Sequence, residues 1–297
     1  MAEAGRLQDR AEQAAAALPP LLVAATRVAA TVAQGVHGRR RVGQGETFWQ
    51  FRQYQPGDAA TRIDWRESAK SQRLYVRETE WEAAQSVWLW RDASPSMDYA
   101  STRGLPSKRE RADLLTLALA ALLLRGGERV ALLGTGVVPS HGRAVLERMA
   151  QQLERATPNG NNDGGLPAIE PLPRHAQLVL IGDFLAPLEH TERLVASYAA
   201  MGLKGCLLQV LDPAEETLPF GGRVRFEGLE REAPLLVSRV EAIRGQYTDR
   251  LARHRAGLAA IARAAGWRFA THRSDRPPHT ALLALYTALA AEPDHLS

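Results

Sequence analysis

"VWLWRDASPSMDYA", residues 87–100, runs from an apolar, β-prone segment into an abrupt polar stop. Val87, Trp88, Leu89 and Trp90 have the character of a buried strand. Asp92, Ser94 and Ser96 then follow at alternate positions, with Pro95 stiffening the loop. Two readings compete. Asp, Ser and Pro are ordinary strand-ending residues, so the string is a turn. Alternatively, a loop leaving a strand turns side chains i, i+2 and i+4 toward one point above the sheet. One carboxylate and two neutral hydroxyls suit a hard cation that keeps several waters, Mg²⁺ before Zn²⁺.

The chain beyond bears on the choice. Ser107-Lys108-Arg109-Glu110 reads as a capping box opening the helix "KRERADLLTLALAALLLRG", which Gly126-Gly127 ends. "RVALLGTGVV" reads as a strand, "RAVLERMAQQLERA" as a helix, and "AQLVLIGDF" as a buried strand. "LEHTERLVASYAAMG" is helical and "KGCLLQVLD" extended. "GRVRFEG" with "APLLV" suggests a small hairpin. A long helix over Val240 to Ala265, the strand "WRFATH" and the helix "PHTALLALYTALA" complete the alternation. Strands alternating with helices predict an α/β fold: a three-layer α/β/α, Rossmann-like architecture on a mostly parallel sheet. In such sheets ligands sit at the carboxyl ends of the strands. Asp183 closes "LVLIGD" as Asp92 closes "VWLWRD", so two strands deliver a carboxylate to the same edge. That coincidence favours the cation.

Residues 3–34 are alanine-rich with helical spacing broken at Pro19-Pro20, which predicts two short helices. Residues 37–84 are polar, basic and aromatic together, with a tight turn at Pro56-Gly57 and an extended stretch at "RLYVRETEWE". The expected organisation is therefore a helical segment over 1–36, a basic and aromatic hairpin segment over 37–84, and an α/β domain over 85–291.

Hydrophobic and charged fractions of 45% and 24% are those of a soluble globular protein. A net charge of +4 permits an acidic partner without demanding one. Cys206 is the only cysteine, which excludes an intrachain disulfide and a cysteine-rich zinc centre and fits a reducing compartment. The apolar run after Pro20 is interrupted by Arg27 and is too short to span a bilayer, so a cytoplasmic location without a transmembrane segment is expected. G-x-x-x-x-G-K-[ST], G-x-S-x-G and H-E-x-x-H do not occur, and the histidines are scattered. A non-enzymatic role is expected. A metal-dependent phosphate-ester hydrolase stays open, with Asp92 as nucleophile and Asp98 or Asp183 as acid or base. Ser94 stands where that chemistry places a second aspartate, and a hydroxyl exchanges no proton usefully near neutral pH. The arginines of residues 39–77, interleaved with Phe48, Trp49, Phe51, Tyr54 and Trp65, could contact nucleic acid, but no base-reading motif accompanies them and Asp58, Asp64, Glu67, Glu78 and Glu80 offset their charge. A platform of Arg–carboxylate pairs and packed aromatics, with no nucleic acid, is the preferred reading.

The stretch "FRQYQPGDAATRIDWRESAKSQRLYVRETEWE", residues 51–82, resembles the signature of the family catalogued as domain of unknown function 58. The similar residues are Arg52, Tyr54, Pro56-Gly57-Asp58, Arg62, Ile63-Asp64-Trp65, Ser68-Ala69 and Val76-Arg77-Glu78. The resemblance implies a von Willebrand factor A-like domain bearing a metal-ion-dependent adhesion site. Asp92, Ser94 and Ser96 match its first ligand segment and Asp183 its later aspartate, with Mg²⁺ or Mn²⁺ as the ion and a partner's acidic side chain as the last ligand. It also implies a MoxR-type AAA+ ATPase as partner, in chaperone-like maturation or remodelling of another protein. Arg52, Tyr54, Asp58, Asp64, Trp65 and Arg66 are the candidate partner-contact residues. Phe184 stands where the family usually has glycine, and the ligand threonine has no clear match: Thr135 follows its strand too early and Thr157 lies in the loop "TPNGNNDGG".

Overall fold

The structure, a computed structural model, describes residues 20–35, 47–54, 63–70, 73–80, 85–155, 165–229 and 233–290. Two compact units divide the chain: Met1–Gly35 with Ser86–Ser297, and Val36–Gln85. Helix α1 (Pro20–Gly35) belongs to the first; proline at its start is compatible with a helix because no intrahelical partner awaits that N–H. The helix expected before Pro19 lies outside the described residues.

The smaller unit is a two-stranded antiparallel sheet of β1 (Thr47–Gln53) and β2 (Tyr75–Glu80), with the short helix α2 (Trp65–Ser68) between them in sequence. Ser68 ties the helix to the sheet, its Oγ accepting the Tyr75 amide at 2.8 Å. The Pro56-Gly57 turn lies outside the described residues.

The larger unit continues with β3 (Ser86–Arg91), a 3-10 turn at Pro95–Asp98, α3 (Lys108–Arg125), β4 (Arg129–Leu132) and α4 (Arg143–Arg155). Next come β5 (Gln177–Gly182), α5 (Leu188–Ala200), β6 (Lys204–Leu211) and the one-turn α6 (Pro213–Thr217). A small antiparallel hairpin of β7 (Val224–Phe226) and β8 (Leu235–Val237) precedes α7 (Val240–Ala264), β9 (Arg268–Arg273) and α8 (Pro278–Ala290). β4 is shorter than its apolar run suggests, because Gly134 and Gly136 take positive φ and turn the chain away.

Five strands pair in the order β4-β3-β5-β6-β9, every neighbouring pair parallel. Burial on both faces explains their nearly unbroken apolar runs. Trp88, Trp90, Leu178, Leu180 and Leu207 face a core shared with Leu194, Val195 and Tyr198 of α5 and Leu258 and Ala262 of α7. The alternate residues Val87, Leu89, Val179, Ile181 and Leu208 are equally buried; α3 packs against β3, β4, β5 and β6, and α8 against β6 and β9. α3 is buried almost all round because α1 and α8 also cover it, which accounts for a helix apolar on every side.

The sheet order carries a functional consequence. Numbered along the chain within the sheet, the strands run 2-1-3-4-5, so the connections out of β3 and β5 diverge to opposite sides. The crevice of a doubly wound sheet opens at the carboxyl ends of the two strands flanking that reversal. Asp92 follows β3 and Asp183 follows β5.

Candidate functional site

Asp92 continues the ladder of β3, its amide donating to the Ile181 carbonyl at 2.9 Å. Its side chain is closely confined and only 1% of the residue is exposed. A Cβ on Gly182 would lie 2.9 Å from Asp92 Cβ, and one on Gly165 would lie 2.8 Å from Asp92 Oδ2. Asp92 Oδ1 accepts the Ser94 amide at 2.8 Å, which folds the loop back over the strand end. The turn reading and the site reading are therefore compatible: the same carboxylate shapes the loop and stands at its base.

The loop brings the predicted residues together. Ser96 Oγ donates to Asp183 Oδ2 at 2.8 Å, and Ser94 and Ser96 Oγ are 3.0 Å apart. Because the single Ser96 proton goes to Asp183, Ser94 is the donor of the second bond. Arg109 latches the loop from α3, its Nη2 donating to the carbonyls of Ala93 and Ser94, each at 3.1 Å, and to Asp98 Oδ2 at 2.9 Å. Asp183 is fixed in turn by its own backbone. Its carbonyl accepts Gln209 Nε2 at 2.9 Å, and its Oδ1 accepts the Leu185 amide at 3.2 Å. Phe184, the next residue, takes φ +50°. A phenylalanine holds that left-handed conformation here because its ring is buried in the α5–α7 core and His254 Nε2 bonds its carbonyl at 2.6 Å.

Two charged residues complete the cluster that sequence reasoning missed. Lys108, the first residue of α3, is fully buried, and its Nζ lies 2.9 Å from Asp183 Oδ2 and 2.5 Å from Glu215 Oε1. Burial disfavours the ammonium, but the Asp183 and Glu215 carboxylates outweigh it and hold the lysine pKa above its ordinary value. Glu215 is aimed by α6: Asp212 caps that helix, and the Asp212 amide donates to Glu215 Oε2 at 2.8 Å. A sequence signal existed. A cation at a helix N-terminus opposes the macrodipole, so a lysine there needs carboxylates nearby.

Ser94 Oγ, Ser96 Oγ and Asp183 Oδ2, with Asp92 beside them, form an all-oxygen set of the type Mg²⁺ and Mn²⁺ accept. Among the described residues no three His, Cys, Asp or Glu side chains gather closely enough to hold a metal. An ion here would depend on the serine hydroxyls. Thr135 Oγ1 donates to the Leu132 carbonyl at 2.8 Å, a bond within its own turn; Thr157 lies outside the described residues.

In the smaller unit, Arg52 sits in β1 opposite Val76, and the Tyr54 amide bonds the Leu74 carbonyl at 2.8 Å. The Asp64 amide bonds the Tyr75 carbonyl at 2.9 Å, immediately before Trp65 and Arg66 in α2. These residues share one hairpin and its helical turn; Asp58 lies outside the described residues. Trp65 is 66% exposed, so it is not one of the packed aromatics expected of a platform.

Residues 50–257 match the family described as protein of unknown function DUF58, spanning the hairpin signature, both strand-end aspartates and most of the sheet. The chain belongs to the DUF58 family. Uncharacterized proteins of Mycobacterium bovis and Mycobacterium tuberculosis are similar to this DUF58 chain, each 29% identical over 274 residues, covering 88% of this chain and 85% of theirs. Among solved structures, an aerotolerance-related membrane protein from Bacteroides fragilis is similar at TM-score 0.43 and 16% identity, over 70% of this chain and 99% of that one. A conserved hypothetical protein BatB from Bacteroides thetaiotaomicron gives 0.41 and 14%, over 70% and 99%. Among the described residues of this DUF58 protein, no helix is long and apolar enough to cross a membrane.

Proposed function

We propose that this DUF58 protein is a non-enzymatic protein-interaction module, von Willebrand factor A-like, whose contact point is the loop cluster at the β3–β5 end of the sheet. The observation that carries the reading is the hydrogen-bonded chain Ser94–Ser96–Asp183, at the strand reversal where such sheets receive ligands. Ser94, Ser96 and Asp183 would hold Mg²⁺ or Mn²⁺, with Asp92 supplying charge beside them. A bound ion offers an open coordination position to an acidic side chain of the partner. The family resemblance nominates a MoxR-type AAA+ ATPase as that partner, in remodelling of a further protein, with the Arg52–Tyr54 and Asp64–Arg66 hairpin as a second contact. The hydrolase alternative has less support, because Asp98 is held by Arg109 and Ser94 stands where that chemistry needs a proton-transferring aspartate.

Calorimetric titration of Mn²⁺ and Mg²⁺, with melting followed in parallel, tests the reading. The wild type is expected to bind saturably and melt higher with the ion; Asp92→Asn, which keeps the acceptor for the Ser94 amide, is expected to lose both. Capture of a MoxR-type ATPase should likewise vanish in EDTA. Melting and capture that ignore the ion in every variant would overturn it.

A further inference from the structure

We propose that Lys108 is a tethered cation that competes with the divalent ion for Asp183, so that Asp183 rests paired with the lysine until ion or partner displaces it. This rests on the cation reading above. The competition is for one atom: Asp183 Oδ2 accepts both Ser96 Oγ at 2.8 Å and Lys108 Nζ at 2.9 Å. An ion bound beside Ser96 would face the same oxygen, and two cations a few ångströms apart in a protein interior repel strongly. Among the described residues, Asp183 and Glu215 are what favour the ammonium, and the positive end of the α3 dipole opposes it.

Glu215 gives the lysine a second seat. Its backbone carbonyl accepts Tyr247 Oη at 2.5 Å, and its Oε2 is held by the Asp212 amide, so Oε1 stays pointed at Lys108 whether or not Asp183 is engaged. When an ion takes Asp183, the ammonium can shift fully onto Glu215 without losing its last counter-charge. Lys108 Nζ already bonds both carboxylates, so removing either one shifts the competition for Asp183 in a stated direction.

The test is Mn²⁺ affinity by calorimetry and by the Mn²⁺ electron paramagnetic resonance signal, in the full chain. Lys108→Met with Glu215→Gln removes the competing cation and the carboxylate it would orphan; affinity is expected to rise by about tenfold or more. Glu215→Gln alone leaves the lysine dependent on Asp183, and affinity is expected to fall. Should the double variant not fold, this conservative single variant decides: unchanged or tighter binding overturns the proposal. Equal affinity in wild type and double variant, or weaker binding in the double variant, overturns the competition but leaves the cation site standing. No saturable binding in any of the three overturns both.

Discussion

Gly182 precedes Asp183 because a side chain there would run into Asp92 across the β3–β5 pair, at 2.9 Å between Cβ atoms. The collision is with a buried, backbone-anchored residue that has little room to yield. Gly182→Ala is therefore expected to destabilise the protein by about 1–3 kcal/mol, the usual range for overpacking a close-packed site. It should also weaken the ion-dependent rise in melting temperature, and urea unfolding with and without Mn²⁺ measures both effects. Asp92, Ser94, Ser96 and Asp183 were legible at this scale because each follows an apolar run that ends abruptly, which marks a strand end on its own. Glu215 was not, and Lys108 showed only as a cation at the helix end where the dipole disfavours one. Lys108 meets Asp183 and Glu215 only through tertiary packing, across separations of 75 and 107 residues. A polar residue beside a helix cap ordinarily reads as solvated.

Helix α3 organises that meeting. Ser107 Oγ accepts the Glu110 amide at 3.1 Å and Glu110 Oε2 accepts the Ser107 amide at 2.8 Å, the reciprocal pair read from S-K-R-E. The box fixes the first turn, and with it the two residues that serve the site from opposite sides, Lys108 on Asp183 and Arg109 on the loop carbonyls. Ser107→Ala is expected to cost about 1 kcal/mol in chemical denaturation, with Ser107→Asp restoring most of it. The uniformly apolar body of α3 announced a buried helix. It did not announce what covers it, because α1 supplies its buried Ala25, Ala29 and Val32 from a segment whose sequence also suits an independent helix.

At the scale of the molecule, alternation of periodic segments gave the class of sheet but not its strand order. The order depends on which neighbours each buried strand finds, and five similar apolar runs do not say. That order places the ends of β6 and β9 beside the start of α3, and it buries titratable groups with opposing pH consequences. His272 on β9 is driven down to about 4, first by burial and then by Arg111, with Asp275 opposing. Unfolded, it titrates near 6.5. Between those values the unfolded chain binds the proton and the native state does not, so this contribution is present above pH 6.5 and fades as pH falls. Asp113 on α3 runs the other way. Burial raises it to about 6 despite Arg91, whose Nε lies 2.5 Å from Oδ1. Over the window from about 6 down to the ordinary carboxylate range the native state holds a proton the unfolded chain has released, so acid stabilises. Between pH 6.5 and 4.5 each contribution amounts to about 2 kcal/mol, and the two nearly cancel in the wild type. His272→Phe should therefore become more stable as pH falls across that window, while Asp113→Asn should become less stable by a similar amount. Urea unfolding at a series of pH values checks both; parallel pH profiles for the two variants would show that these groups do not set the acid behaviour of the fold.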